Sequence, residues 1–342
     1  MEKVNWGIVG LGNIAEKFID GFKYVDNAIV KGIASKNLNK LSKFKTDLSI
    51  NEKYCFKNYI DLIQSKDIDI IYITLPHSLH YEHIIECLNL DKNVVVEKPA
   101  TVNFEQIKSV KNILDKKQIF FAEAFMYRFH PQTTKIIELI RNNYIGDLLS
   151  MKSFFGVNIM KKKYFFGFNF GKKINKNNRL YNKKLGGGAI LDLGCYPSSM
   201  SLLIASLKSK YSEVKVEEKK LEFYETGVDI NSYAKLSFDN NFESYIGTSF
   251  IEDIGKKTII EGNKGKITIE DSWHGNPSKI IISGKYNKVL NIDAKENIYA
   301  YEIEKISKNI LENNFKIEYP GLDIDETCLN MEILDNWLNN EK

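Results

Sequence analysis

Through residue 124 the chain alternates two hydrophobic rhythms. Short, β-branched runs start at Val4 (VNWGIVG), Ala28 (AIVKGIAS), Ile68 (IDIIYITL), Asn93 (NVVVE) and Gln118 (QIFFAEAF). Strands that are apolar on both faces belong in a parallel sheet covered on both sides. Helical stretches separate them, over Asn13–Tyr24, Leu38–Leu48, Leu79–Leu90 and Phe104–Lys116. Strand–helix alternation of this kind predicts a doubly wound α/β domain.

The rhythm changes after Phe125. A helix follows Pro131, and a strand is predicted at Leu148–Val157. Three glycines, Gly186–Gly188, then feed a long apolar helix, AILDLGCYPSSMSLLIASL. Alternating strands follow at Lys215–Phe223, Asn231–Phe238, Phe242–Phe250, Lys257–Glu261, Lys266–Glu270 and Lys279–Ser283. Short turns between them, such as GNKG at Gly262–Gly265, indicate antiparallel pairing. Helices near Tyr299–Asn313 and Asp325–Asn339 close the chain. The expected organisation is therefore α/β over residues 1–124 and α+β over 125–342, with the last helix able to pack back on the first domain.

Composition narrows the class. The chain has 342 residues, 43% hydrophobic and 27% charged, which supports sizeable cores and excludes a disordered chain. A net charge of +4 is too small to argue for nucleic acid. Cys55, Cys87, Cys195 and Cys328 lie far apart with no C-x-x-C pair, so they are expected reduced, in a cytoplasmic protein. The N-terminus reads as a strand rather than a signal sequence. No uncharged apolar run comes near the roughly 20 residues of a membrane span.

The first strand runs into Gly10-Leu11-Gly12-Asn13-Ile14-Ala15. This is dinucleotide-fingerprint spacing. Gly10 permits the tight turn, Gly12 lets the backbone approach a pyrophosphate, and Ala15 keeps the helix close to the sheet. The amides of Asn13 and Ile14 would face phosphate from the helix N-terminus. NAD enzymes usually end the second strand with an acid that holds the ribose 2′-hydroxyl. Here that strand ends Ile33-Ala34-Ser35-Lys36, with no acid between Asp26 and Asp47. Ser35 and Lys36, with Lys40 one turn on, suit a 2′-phosphate. NADP is the expected cofactor, with NAD as the alternative.

Four ordered segments carry more information than the fingerprint alone. They are TLPHSLHYEH from Thr74, Glu97-Lys98-Pro99, AEAFMYRFHP from Ala122, and LGGGAILDLGCYP from Leu185. Behind a GxGxxA turn, this series resembles the Gfo/Idh/MocA oxidoreductases. It is most similar to the branch of dimeric dihydrodiol dehydrogenase, NADP-dependent xylose dehydrogenase and glucose–fructose oxidoreductase. The resemblance implies a Rossmann domain followed by a substrate-binding domain with a large, open, mostly antiparallel sheet. It implies a homodimer or homotetramer joined through that sheet.

The same resemblance places Thr74, Leu75, Pro76, His77, His80 and Glu97 beside the cofactor, and Lys98 near nicotinamide and substrate. It brings Tyr127, Arg128 and Phe129 towards the substrate. Many members carry Asp-x-x-x-His on the later helix; this chain has Asp192 and Tyr196. These two are four apart, so a helix puts them on one face. A hydride transfer to or from a hydroxyl-bearing carbon needs a proton donor or acceptor. Tyr196 is assigned that role, with Lys98 as its electrostatic partner and Asp192 positioning the substrate.

The expected activity is NADP-dependent transfer between nicotinamide and a secondary alcohol or carbonyl of a sugar, polyol or cyclic diol. The rivals are a non-catalytic cofactor-binding sensor or co-repressor, and a reductase of a non-sugar substrate. His77, His80 and His83 are spaced by three, but no Cys or carboxylate completes a ligand set, so no metal is expected. Residues 161–184 hold nine Lys/Arg, no acid and six aromatics. Single-stranded nucleic acid could stack on such a segment. A solvated loop is the simpler reading, with Arg179 the residue most worth testing against substrate.

Overall fold

The computed structural model describes residues 2–163, 169–171 and 178–339. The chain forms two compact units, Met1–His130 with Ala294–Cys328, and Pro131–Asp293 with Leu329–Lys342.

The first unit is built on six parallel strands, β1 (Val4–Val9), β2 (Ala28–Ala34), β3 (Cys55–Phe56), β4 (Ile70–Ile73), β5 (Asn93–Glu97) and β6 (Phe121–Ala124). Their order, β3-β2-β1-β4-β5-β6, is that of a Rossmann sheet. Helices α1 (Asn13–Gly21), α2 (Leu38–Asp47), α3 (Tyr59–Ile63), α4 (His80–Asn89) and α5 (Phe104–Leu114) connect them. The central strands are apolar on both faces because both faces are covered: Trp6, Ile8, Ile70, Tyr72, Val94 and Val95 are buried.

Register fixes the functional edge. Val9 stands opposite Ala34 and Ile73, Ile73 opposite Val96, and Val96 opposite Glu123. Three strands therefore end level, and the residues that follow them, Ser35, Gly10 and Thr74, share the carboxyl edge with Glu97, the last residue of β5. Ligands of open parallel sheets bind outside that edge.

The second unit holds α6 (Pro131–Arg141) and the eight-stranded sheet of β7 (Leu148–Gly156), β10 (Val214–Phe223), β11 (Asp229–Phe238), β12 (Glu243–Ser249), β13 (Thr258–Gly262), β14 (Gly265–Ile269), β15 (Lys279–Gly284) and β16 (Lys288–Asn291). A separate antiparallel pair is formed by β8 (Lys161–Lys163) and β9 (Asn169–Gly171). The large sheet runs β10-β11-β12-β7-β13-β14-β15-β16 and is antiparallel except where β12 lies parallel to β7. Helix α7 (Cys195–Lys208) packs on its β7 and β12 strands. Residues 164–168 and 172–177 of the basic, aromatic-rich segment lie outside the described residues.

Two helices close the chain. Helix α8 (Tyr299–Leu311) belongs to the first unit, where it packs against α1, β1 and β2. The Trp6 indole N–H donates to the Ser307 hydroxyl at 2.9 Å. Helix α9 (Ile324–Leu338) runs from the first unit into the second. The helical stretch Lys183–Lys208 is long and apolar enough to cross a membrane by length and composition. Asp192 and the glycines interrupt it in the sequence. Of its apolar window 83% is buried within the protein, the environment of a core helix.

Candidate active site

In the first unit the turn after β1 is shaped by what surrounds Gly10. Its φ is +90°, and a Cβ there would lie 2.8 Å from Leu75 Cδ2 and 3.0 Å from the Thr74 carbonyl oxygen. The Gly10 N–H donates to the Ala34 carbonyl at 3.0 Å, and the Thr74 hydroxyl donates to the Gly10 carbonyl at 2.9 Å. The turn is thus tied to the ends of β2 and β4. Gly12 caps α1 in an extended conformation without any side-chain cap, and a Cβ on it would meet nothing within 4 Å. The first amides of α1 therefore keep their positive dipole end open to an anion. Ala15, fully buried, lets α1 lie close on the sheet. An open cradle with no side chain in front of it fits a dinucleotide pyrophosphate.

At the end of β2, Ser35 is buried and its hydroxyl accepts the Asn37 N–H at 3.1 Å. Asn37 in turn caps α2 through the Lys40 N–H at 3.1 Å. Lys36 and Lys40 are exposed, and the Lys36 ammonium sits 5.2 Å from the centroid of the Tyr59 ring. The edge offers cations and a helix N-terminus where a 2′-phosphate would sit. No acidic residue stands between Ala34 and Asp47 to hold a ribose hydroxyl there.

His80 joins the two loops beside this cradle. It is fully buried, with Nδ1 2.9 Å from the Pro99 carbonyl and Nε2 2.8 Å from the Leu75 carbonyl. Only an imidazolium donates to both; a neutral ring serves one. His77 is also buried, its ring 5.7 Å from that of His80. His83 faces Glu86 at 2.6 Å and the edge of Tyr59. Among the described residues no group of three or more His, Cys, Asp or Glu could hold a metal.

Lys98 is half-buried at the end of β5. Glu97 beside it accepts a hydrogen bond from the buried Tyr72 hydroxyl. Glu123, at the end of β6, was missed in the sequence although it lies inside the AEAF segment. It is buried and accepts the Ala100 N–H at 2.9 Å, bracing the turn that follows Lys98. Burial pushes its carboxyl up to about 7, against the pull of the Ala100 amide and of the Arg128 and Lys98 charges.

Tyr127 and Arg128 follow in a 3₁₀ turn and are both buried. The guanidinium of Arg128 donates to the Tyr127 hydroxyl at 3.0 Å, the Pro320 carbonyl at 3.0 Å and the Glu326 carboxylate at 2.7 Å. Phe129 is half-buried.

In the second unit, Ile190–Gly194 form a π turn that runs directly into α7. Asp192 lies in that turn, buried, and pairs with Arg179 at 3.0 Å. The wider turn changes the simple four-residue spacing to Tyr196, and such turns recur at functional sites. The Tyr196 ring is buried in an aromatic cage, edge-on to Phe155 at 5.2 Å and tilted to Trp273 at 5.5 Å. Phe155 and Trp273 stack at 5.8 Å, and His274 meets Phe155 at 6.0 Å. The cage residues come from β7 and from the stretch after β14. No local pattern marks them.

Residues 4–125 match the model of an oxidoreductase family with an NAD-binding Rossmann fold, and residues 133–268 match the GFO/IDH/MocA C-terminal domain. The chain is 30% identical over 287 residues to trans-1,2-dihydrobenzene-1,2-diol dehydrogenase of Xenopus tropicalis, covering 83% of this chain and 80% of the relative. It is 28% identical over 286 residues to D-xylose 1-dehydrogenase (NADP(+)) of Hypocrea jecorina, covering 78% and 72%. The crystal structure of aldose–aldose oxidoreductase from Caulobacter crescentus, complexed with glycerol, shares the fold. Its TM-score is 0.83 at 18% identity, over 98% of this chain and 96% of that one.

Proposed function

The chain belongs to the GFO/IDH/MocA family of oxidoreductases, and from that premise we propose that it moves a hydride between NADP and a secondary alcohol or carbonyl carbon of a sugar, polyol or cyclic diol. The observation that carries the reading is the uncapped glycine cradle at Gly10–Gly12, with Lys36 rather than an acid after β2. The dihydrodiol and xylose dehydrogenases among its relatives support the substrate class.

When bound, the nicotinamide ring supplies or takes up the hydride. The other tasks fall to the chain. Gly10–Ile14 hold the pyrophosphate, and Ser35 with Lys36 hold the 2′-phosphate. Thr74, Leu75, Pro76, His77, His80 and Glu97 shape the cofactor's side of the site. The Lys98 ammonium holds the substrate oxygen and stabilises the charge that develops on it. The Tyr196 hydroxyl gives a proton to a carbonyl oxygen, or, in the reverse direction, its tyrosinate takes one from an alcohol. The cage of Phe155 and Trp273 limits the rotation of its ring and excludes water. Asp192, oriented by Arg179, accepts a neighbouring substrate hydroxyl.

Tyr127 and Phe129 remain candidates for the substrate's surroundings. Arg128 is reassigned: full burial and three hydrogen-bonded partners support a structural role, not a substrate contact. Copies of the chain associate as a dimer or tetramer through the outer face of the large sheet. A groove of about 490 Å³ there is lined by Phe154, Tyr233 and Tyr245 among lysines. Four free cysteines agree with a cytoplasmic setting.

The test mixes protein with NADP+ and D-xylose, other aldoses and trans-1,2-dihydrobenzene-1,2-diol, following absorbance at 340 nm. At least one should be oxidised, and Tyr196→Phe should lose about 100-fold or more in kcat. Near-normal turnover by Tyr196→Phe would refute its role. Tight NADPH binding with no turnover of any compound would favour the sensor.

A further inference from the structure

We propose that Asp229 is a positioning residue that clamps the start of the Asp192–Tyr196 helix and thereby sets the rate of proton transfer at Tyr196. This rests on the function proposed above. The helical run begins at Ala189, which has no side-chain cap, and both Ala189 and Ile190 are fully buried. Their amides have no access to water, and helix geometry provides them no acceptor. Asp229, the first residue of β11, fills that gap from 39 positions along the chain. Its Oδ2 accepts the Ile190 N–H at 2.7 Å, and its carboxylate also faces the Ala189 amide.

The fit is mutual. Gly188 has φ +121°, and a Cβ on it would lie 2.2 Å from Asp229 Oδ1. Glycine is thus required there both by the backbone and by the approach of the carboxylate. The Ser232 hydroxyl steadies Asp229 at 3.4 Å, and the Thr248 hydroxyl ties down the Ala189 carbonyl at 3.1 Å. Ala189 sits in an apolar cluster with Tyr181, Val228, Ile230 and Phe250, so the neighbours of Asp229 in the chain line the same cluster. In such surroundings a carboxylate at a helix N-terminus is strongly felt. Burial raises the Asp229 carboxyl to about 6, against the pull of the Ile190 and Ala189 amides and the Ser232 hydroxyl.

The consequence is geometric. The first α-type bond of the run is from the Asp192 N–H to the Gly188 carbonyl at 3.2 Å. Asp192 lies two residues beyond Ile190 and Tyr196 four further along the same run, so slack at Ala189 and Ile190 displaces both side chains. An error of about 1 Å at the reacting atoms lowers the rate on the order of 100-fold. An amide in place of the carboxylate turns an N–H donor towards one of the two backbone amides.

The test uses full-length Asp229→Asn, with whichever of D-xylose, the other aldoses or the dihydrodiol the wild type oxidises fastest. The expected result is a kcat lower by about 10- to 100-fold. NADPH binding, read by fluorescence, should stay within about twofold, because the cradle lies in the other unit. Hydrogen exchange should quicken in peptides over residues 186–200 and not elsewhere. Should Asp229→Asn not fold, Ser232→Ala takes its place, with a smaller loss in kcat and the same localised exchange. Unchanged kcat in the folded variant, or a loss of kcat without faster exchange at the helix start, overturns the inference. If the wild type oxidises nothing in the panel, the proposed function fails, and the exchange comparison still decides the clamp. If Tyr196→Phe is unimpaired, the Tyr196 role fails and the inference falls with it, whatever the rate of Asp229→Asn.

Discussion

Lys36 and Glu123 show how single side chains decide what the Rossmann edge can do. Lys36 is exposed over the Tyr59 ring, ready for an anion. One charge-assisted contact is worth about 1.5–3 kcal/mol. Lys36→Ala should therefore weaken NADPH binding by about 10- to 100-fold and leave NADH nearly unchanged, as read by fluorescence titration. Equal losses for both would place Lys36 away from the 2′-phosphate.

Glu123 gives a pH prediction. Its carboxyl keeps a proton up to about 7 in the folded protein, against an ordinary value of 4.5. Between those values the folded state binds more protons than the unfolded chain, so this group's contribution to stability falls as pH rises from 4.5 to 7. The difference amounts to about 3 kcal/mol once pH exceeds both. Glu123→Gln removes that dependence. Urea unfolding at pH 5 and pH 8 should show the variant gaining on the wild type at the higher pH. Parallel behaviour of the two would contradict the assignment.

Elements follow the same physics over longer spans. Five strands of the first sheet were legible because each lies in a largely apolar run, and β4 is buried on both faces throughout. β3 was not: Cys55–Phe56 is too short for a pattern and exists through pairing with Ile33 and Ala34. Nor were α3 and β16, at five and four residues. Alternation along β7 and β12 revealed strands but not their mutual direction, which turned out parallel. The π turn at Ile190–Gly194 carries no sequence signal of its own.

Helix α8 contains a local conflict of the opposite kind. Its Ala300, Ile303 and Ile306 stripe is buried, yet Glu302 is buried too, and among the described residues neither of its carboxyl oxygens has a hydrogen-bond partner. Burial first, then the charge of Glu97, pushes its carboxyl well above the usual range. An unpaired buried polar group costs about 1–3 kcal/mol. Glu302→Leu should raise the thermal midpoint at pH 8, where keeping the carboxyl is most unfavourable. A lower midpoint would mean that Glu302 holds a partner of its own.

At the scale of the molecule, the fold class and the ordered motifs were readable, and membership of the family follows from them and from matches over residues 4–125 and 133–268. Long-range closure was not readable. Nothing around Ser307 foretells that it accepts from Trp6, 301 positions earlier. The same holds for the cage around Tyr196, whose Trp273 arrives 77 positions later in the chain. Association through the large sheet belongs to this scale as well. Sedimentation should give two or four chain masses, and Tyr245→Glu in the outer groove should shift it towards one. A monomeric wild type would remove that proposal.

The central claim is direct hydride transfer between substrate carbon and NADP. It is tested most directly by incubating the enzyme with NADP+ and the substrate found in the panel, deuterated at the carbon that is oxidised, and weighing the reduced cofactor. The account predicts NADPH heavier by one deuterium, formed by the wild type and about 100-fold more slowly by Tyr196→Phe. NADPH that forms without the label would contradict it.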